Sequence, residues 1–97
     1  MSRGLGSVQR RLLSAIAAIE GEAEGSADPP RTWRDAEGQL WIGLREPLGR
    51  ARIGEANSSR IVASLERREL LVAGRIWTPR AGRTWGAMLT SAGRAAL

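Results

Sequence analysis

The groups in this chain that can carry chemistry are arginines, hydroxyls and carboxylates. All 15 basic residues are arginine, and histidine, cysteine, tyrosine and lysine are absent. That excludes the usual general base, thiolate and imidazole metal ligands, a Schiff-base lysine and the lysine of a Walker-type phosphate loop. The carboxylates form no convincing pair, so the chain reads as a non-enzyme that needs no cofactor and no metal. What remains is the chemistry of binding. Guanidinium forks meet phosphates or the edge of guanine, and small hydroxyls bond to phosphates or bases. Such groups are concentrated in "NSSRIVASLER", residues 57–67, and around "RAGR", residues 80–83.

To act together, the first of these stretches must be a helix. Ser58, Ile61, Val62 and Leu65 then share one face, and Ser59, Arg60, Ala63, Ser64 and Arg67 lie together on the other. Ala56–Asn57–Ser58 supplies the N-cap, Leu70 and Leu71 close the pattern, and Gly74 marks a turn. Beyond it, "RIWTP" and "TWGAMLT" read as the strands of a hairpin over residues 75–90. Pro79 and Gly82 favour its turn, and Arg80 and Arg83 stand at its tip. "SAGRAAL" follows as a short tail helix capped by Thr90 or Ser91.

Upstream, residues 1–6 form a loose N-terminus, and Ser7 caps a first helix with Val8, Leu12, Ala15, Ile16 and Ile19 on its inner face. Gly21 and Gly25 break it, leaving residues 21–31 as a flexible acidic loop. From Thr32 to Arg52 two readings stand. Thr32 with Asp35 resembles a capping pair, and Trp33, Ala36, Leu40 and Leu44 fall near helical spacing. Gly38 and Gly43 argue against one continuous helix, and "QLWIGL" suits a short strand instead. Pro47 would start a separate short helix through about Ala51. The expected fold is a single α+β domain over residues 1–97, mainly α, with three helices and a C-terminal β-hairpin.

Charge is unevenly placed. Residues 20–37 hold Glu20, Glu22, Glu24, Asp28, Asp35 and Glu37 against Arg31 and Arg34, whereas residues 70–97 hold Arg75, Arg80, Arg83 and Arg94 with no acid. A local positive field of this kind attracts polyanions. The bland alternative is a solvated face on a domain whose net charge is only +5. No apolar run approaches the roughly 20 residues needed to cross a bilayer, and the N-terminus lacks the pattern of a targeting segment. The expectation is a soluble, cytoplasmic protein. Trp33, Trp41, Trp77 and Trp85 supply all the aromatic area and are read as packing residues. The facing of Trp77 against Trp85 stays open, and an exposed one would suggest a partner surface.

A helix pair followed by a hairpin is the layout of a winged helix-turn-helix, in which the second helix enters the major groove. "SSRIVASLERRELLV" resembles the recognition-helix segment of MarR-like winged-helix regulators, and "RAGRTWGAMLTSAGRAAL" resembles the wing and its "LT..GR" sequel. The likeness covers residues 56–97, with a vaguer match of "VQRRLLSAIAAI" to a first helix. It implies DNA contact by Ser59, Arg60, Ser64 and Arg67 on the helix and by Arg80 and Arg83 on the wing. Asn57, at the start of the helix, joins this set. Glu69 departs from the pattern, standing where the family has the glycine that ends the helix. The family's long dimerisation helices have no counterpart up to Leu97. Oligomeric state stays open, with a two-fold homodimer through helix 1 or the C-terminal tail as one option because half-sites usually come in pairs. The expected function is sequence-specific binding of double-stranded DNA, by a transcriptional regulator or a phage- or plasmid-type accessory factor. The rival is a protein-binding adaptor or inhibitor on the same scaffold.

Overall fold

A computed structural model describes residues 6–24, 32–78 and 82–97. Helix α1 (Ser7–Glu24) begins one residue after Gly6, whose N–H donates to Gln9 Oε1 at 3.0 Å. This is the reciprocal half of a capping box. Leu12, Leu13, Ile16 and Ile19 are buried along its inner face, so the stripe is wider than Val8, Leu12 and their helical neighbours imply. Gly21 does not break the helix, so residues 21–24 of the expected flexible acidic loop are helical; its residues 25–31, and residues 1–5 of the expected loose N-terminus, lie outside the described residues. An interior glycine costs only about 1 kcal/mol relative to alanine. The last turn is tied to the next helix by Glu22, which accepts two bonds from Arg50 at 2.7 and 2.9 Å.

The 32–52 segment resolves as a hairpin and a short helix. Strands β1 (Thr32–Arg34) and β2 (Leu40–Gly43) pair antiparallel, with Trp33 opposite Trp41. Asp35 organises the turn rather than capping a helix. Its Oδ1 accepts from the N–H groups of Glu37 and Gln39, and its Oδ2 from the Trp41 indole, all at 2.9 Å. Gly38 supplies the left-handed residue that this turn requires (φ 80°). Helix α2 (Arg45–Arg50) carries Pro47 in its first turn, where no intrahelical donor is lost.

Helix α3 (Glu55–Arg67) starts earlier than expected. The extended Gly54 is its N-cap, and the Gly54 carbonyl accepts from Asn57 and Ser58 N–H at 3.0 and 3.1 Å. Asn57 therefore lies inside the first turn, and the Ser58 hydroxyl donates to Glu55 O instead of capping. At the other end the chain closes a Schellman turn. Glu69 N–H donates to Glu66 O at 2.9 Å and Leu70 N–H to Leu65 O at 3.1 Å. Glu69 takes the left-handed position (φ 58°) that a glycine would fill without strain.

The hairpin is longer than residues 75–90 implied at its first strand. β3 (Leu71–Thr78) and β4 (Gly82–Leu89) pair in full register from Leu71–Leu89 to Thr78–Gly82. Gly74 is consequently a mid-strand residue opposite Gly86, not a turn, because the ladder on both sides outweighs its poor strand propensity. A Cβ at Gly86 would lie 2.6 Å from Ile76 Cδ1 and 3.2 Å from Ile42 O, so the Ile76 side chain would have to move to admit one. Pro79, Arg80 and Ala81 at the tip lie outside the described residues.

Helix α4 (Ser91–Ala95) forms at the expected tail helix, bringing the described helices to four where the expected fold counted three. Thr90, not Ser91, caps it, accepting from Gly93 N–H at 3.0 Å and donating its own hydroxyl to Glu69 O at 2.6 Å. Gly93 lies so close to Leu70 that a Cβ would come within 2.0 Å of its carbonyl oxygen. The "LT..GR" phrase is thus a clasp on the end of α3. Its arginine, Arg94, bonds Glu20 of α1 at 2.8 and 3.1 Å.

The result is an α+β fold with an antiparallel sheet of order β1-β2-β4-β3. Its core is aliphatic, joining Leu12, Leu13, Ile16 and Ile19 to Ile42, Leu44, Leu48, Val62, Leu65, Leu71 and Leu89. None of the four tryptophans is fully buried: Trp85 packs half-buried against the core, whereas Trp77 is exposed. The leucines and isoleucines already fill the space between helices and sheet. No described helix is long and apolar enough to cross a membrane.

Candidate nucleic-acid interface

Three faces of α3 do different work. Val62, Leu65 and Ser58 are buried against the core. The opposite stripe is Ala56, Arg60, Ala63 and Arg67, spaced four, three and four residues apart and exposed throughout. Alanine beside arginine keeps this stripe low, so the helix axis can approach a ligand surface closely while the two guanidiniums reach past it. Asn57 and Ser59 are exposed on its flanks. Ser64 is not available in the same way. Its hydroxyl accepts from Gln9 Nε2 at 2.7 Å and donates to Ile61 O at 2.8 Å, half-buried against α1.

The hairpin brings a second set of groups beside the first. Alternation along β3 sends Leu71 and Ala73 to the core side, with Leu89 and Ala87 opposite them. Continued outward, the same face carries Arg75 opposite Trp85, then Trp77 opposite Arg83. Ser59, Gly74, Arg75 and Trp85 line an open depression of about 430 Å³ between α3 and the hairpin. Trp85 is also a wall of a larger groove, about 580 Å³, that runs past the start of α3 between Arg45, Ile53, Glu55 and Thr84. Arg83 is exposed; Arg80 lies outside the described residues.

Among the described residues, Arg60, Arg67, Arg75 and Arg83 make no ion pair. The paired charges sit elsewhere. Arg50 bridges Glu22 and Glu46 at 2.7 and 2.9 Å, and Arg94 bridges Glu20 at 2.8 Å. The Arg50 bond holds the Glu22 carboxyl below the usual carboxylate range, and Arg50 is in turn shifted up by Glu22 and Glu46. Glu66, the acid on α3 nearest the hairpin, spends its carboxylate on Ala73 N–H at 3.2 Å.

Comparison with protein-family models, with curated proteins and with solved structures returns no match for this chain. The functional reading therefore rests on the surface alone. Its residues offer no nucleophile joined to a base, and among the described residues no group of acids is placed to hold a metal. They offer guanidiniums, small hydroxyls and one half-buried indole around a shallow groove, an arrangement suited to binding an extended anion.

Arg75 and Trp85 were missed as site residues from sequence. The signal was present: once a strand starts at Leu71, a period of two puts Arg75 on the face of Leu71 and Ala73. Placing a turn at Gly74 hid it. Ser64 had no comparable signal, because its partner Gln9 is 55 residues away.

Proposed function

We propose that this chain binds double-stranded DNA, with α3 entering the major groove and the β3–β4 hairpin lying along the flanking backbone as a wing. The observation that carries the reading is that Arg60 and Arg67 on α3 and Arg75 and Arg83 on the hairpin are exposed without acidic partners among the described residues, with Ser59, Arg75 and Trp85 lining a groove between the two elements. The order of elements supports it. A helix, a hairpin whose second strand β2 pairs with β4, two helices, a second hairpin and a tail helix are compatible with a winged helix that carries the additional strand β1. Arg60 and Arg67 would read base edges or phosphates from the helix, and Ser59 would bond at its edge. Arg83 and Arg75 would neutralise phosphates beside it. Asn57 would contact backbone near the helix start. A transcriptional regulator or a phage- or plasmid-type accessory factor is the biological role that such a module serves.

Selection of bound sequences from a random duplex pool, followed by titration of the selected site at rising salt, tests the reading. Each neutralised phosphate adds about 0.9 to the slope of log affinity against log salt, so a slope magnitude of about 3 or more is expected for these arginines. Absence of duplex binding at low salt, or a flat salt response, overturns it. In that event the exposed Trp77 favours the rival reading, a protein-binding module, and a stoichiometric protein partner retained against competing DNA identifies it.

A further inference from the structure

The DNA-binding reading leaves one feature unused. Trp77, near the end of β3, is 55% exposed, although a buried indole contributes more to stability than almost any other side chain. It is nevertheless held in place. The Trp33 ring meets it in a T-shaped contact, with centroids 5.8 Å apart and planes at 87°. A perpendicular contact occupies at most one face of the Trp77 indole, and with more than half of the residue exposed the ring is accessible to a planar ligand. The surroundings are cationic. Trp77 lines a depression of about 270 Å³ with Arg75, Ile76 and Arg83, and Arg83 is its cross-strand partner. No acid occurs anywhere in residues 70–97.

A rigid indole with an accessible ring between two arginines without ion pairs fits an anionic ligand with a flat apolar part. In DNA that part is a nucleobase, and its face is accessible only where the base is unpaired and unstacked. In an intact duplex, each base face is covered by its neighbours, and only groove edges and phosphates are offered. We infer that Trp77 is a stacking platform for an unpaired base, so that this protein prefers a duplex carrying a single-stranded fork to a fully paired one. The inference rests on the DNA-binding reading: α3 holds the duplex arm, and the hairpin receives the first unpaired base. Pre-ordering by Trp33 matters, because a side chain already fixed loses little conformational entropy on stacking.

The test compares a blunt duplex, the same duplex with a forked end, and one strand alone, by fluorescence anisotropy with the intact chain. The fork is expected to bind at least about fivefold more tightly than the blunt duplex, the scale of one base–aromatic stack. Trp77→Ala should bring the two within about twofold of each other while leaving blunt-duplex affinity unchanged. As an independent readout on the unaltered protein, 2-aminopurine at the first unpaired position should be quenched on binding. Equal affinity of the unaltered protein for fork and blunt duplex overturns the inference and leaves duplex binding standing. A fork preference that survives Trp77→Ala, an unquenched 2-aminopurine, or a single strand bound as well as the fork each overturn it too. Failure to bind any of the three DNAs removes the DNA reading and the inference together.

Discussion

Two groups of arginines divide this molecule. Arg50 and Arg94 clasp the C-terminal half of α1, each held by carboxylates on α1 or on its own helix. Arg60, Arg67, Arg75 and Arg83 stand on α3 and the hairpin with no such partner among the described residues. The residue type is the same and the surroundings are not. On the first side the guanidinium fork works inside the fold, linking helices that are far apart in sequence. On the second it makes no ion pair among the described residues. A net charge of +5 says nothing of this difference in pairing.

The sharpest way to break the comparison is to remove one group and see which property follows. Replacing Arg60 and Arg67 together with alanine should lower duplex affinity by about 10- to 100-fold, the scale of two phosphate or base contacts. Thermal stability should be nearly unchanged, because neither side chain is bonded within the fold. Anisotropy titrations and thermal melts of the same preparations check both halves. If the double variant melts well below the parent, these arginines belong to the structural group and the division fails.

Legibility in the sequence follows the reach of the interactions that hold each element. The apolar stripes of α1 and α3, the outer part of the hairpin and the narrowing of the last cap to Thr90 or Ser91 depend on neighbours within a few residues, so they are legible. The arginine-bearing stripe of α3 was legible for the same reason. What was hidden depends on distant or cooperative partners. Ser64 is withdrawn from the outer face by Gln9, across 55 positions, and nothing near Ser64 announces it. The β1–β2 hairpin is organised by one carboxylate, Asp35, whose bond to the Trp41 indole cannot be told from a helix cap by spacing alone. Gly74 has the local signature of a turn, and only its pairing with Gly86 makes it strand.

Glu69 sharpens the comparison from the other direction. It is an acid at the end of the otherwise basic α3 face, and it sits in the left-handed conformation with φ 58°. Its backbone, not its carboxylate, is what the fold uses: the N–H closes the Schellman turn and the carbonyl receives the Thr90 hydroxyl. Glu69→Gly keeps both bonds and removes the unfavourable Cβ contact, at the cost of some unfolded-state entropy. A net gain of about 1 kcal/mol in denaturant unfolding is expected. Duplex affinity should rise slightly or stay level, since a negative charge leaves the binding side. A loss of stability would show that the carboxylate has a structural role.

The smallest expected effect concerns the internal group. Arg50→Ala should lower the melting temperature slightly at neutral pH and leave duplex affinity as it was, because exposed ion pairs contribute little individually. The pH dependence gives this variant its discriminating power. Hydrogen bonding to Arg50 depresses the Glu22 carboxyl below its ordinary value of 4.5. A carboxyl depressed in the folded state adds stability that is fully present above the unfolded value and is lost as pH falls through the folded one. The gap in melting temperature between parent and Arg50→Ala should therefore be constant near neutrality and close as the pH is taken down through and below about 4.5. Arg60→Ala, with no carboxylate to release, should show no such closing gap. A parallel pH profile for the two variants would mean that Arg50 and Arg60 do not differ in the way their partners indicate.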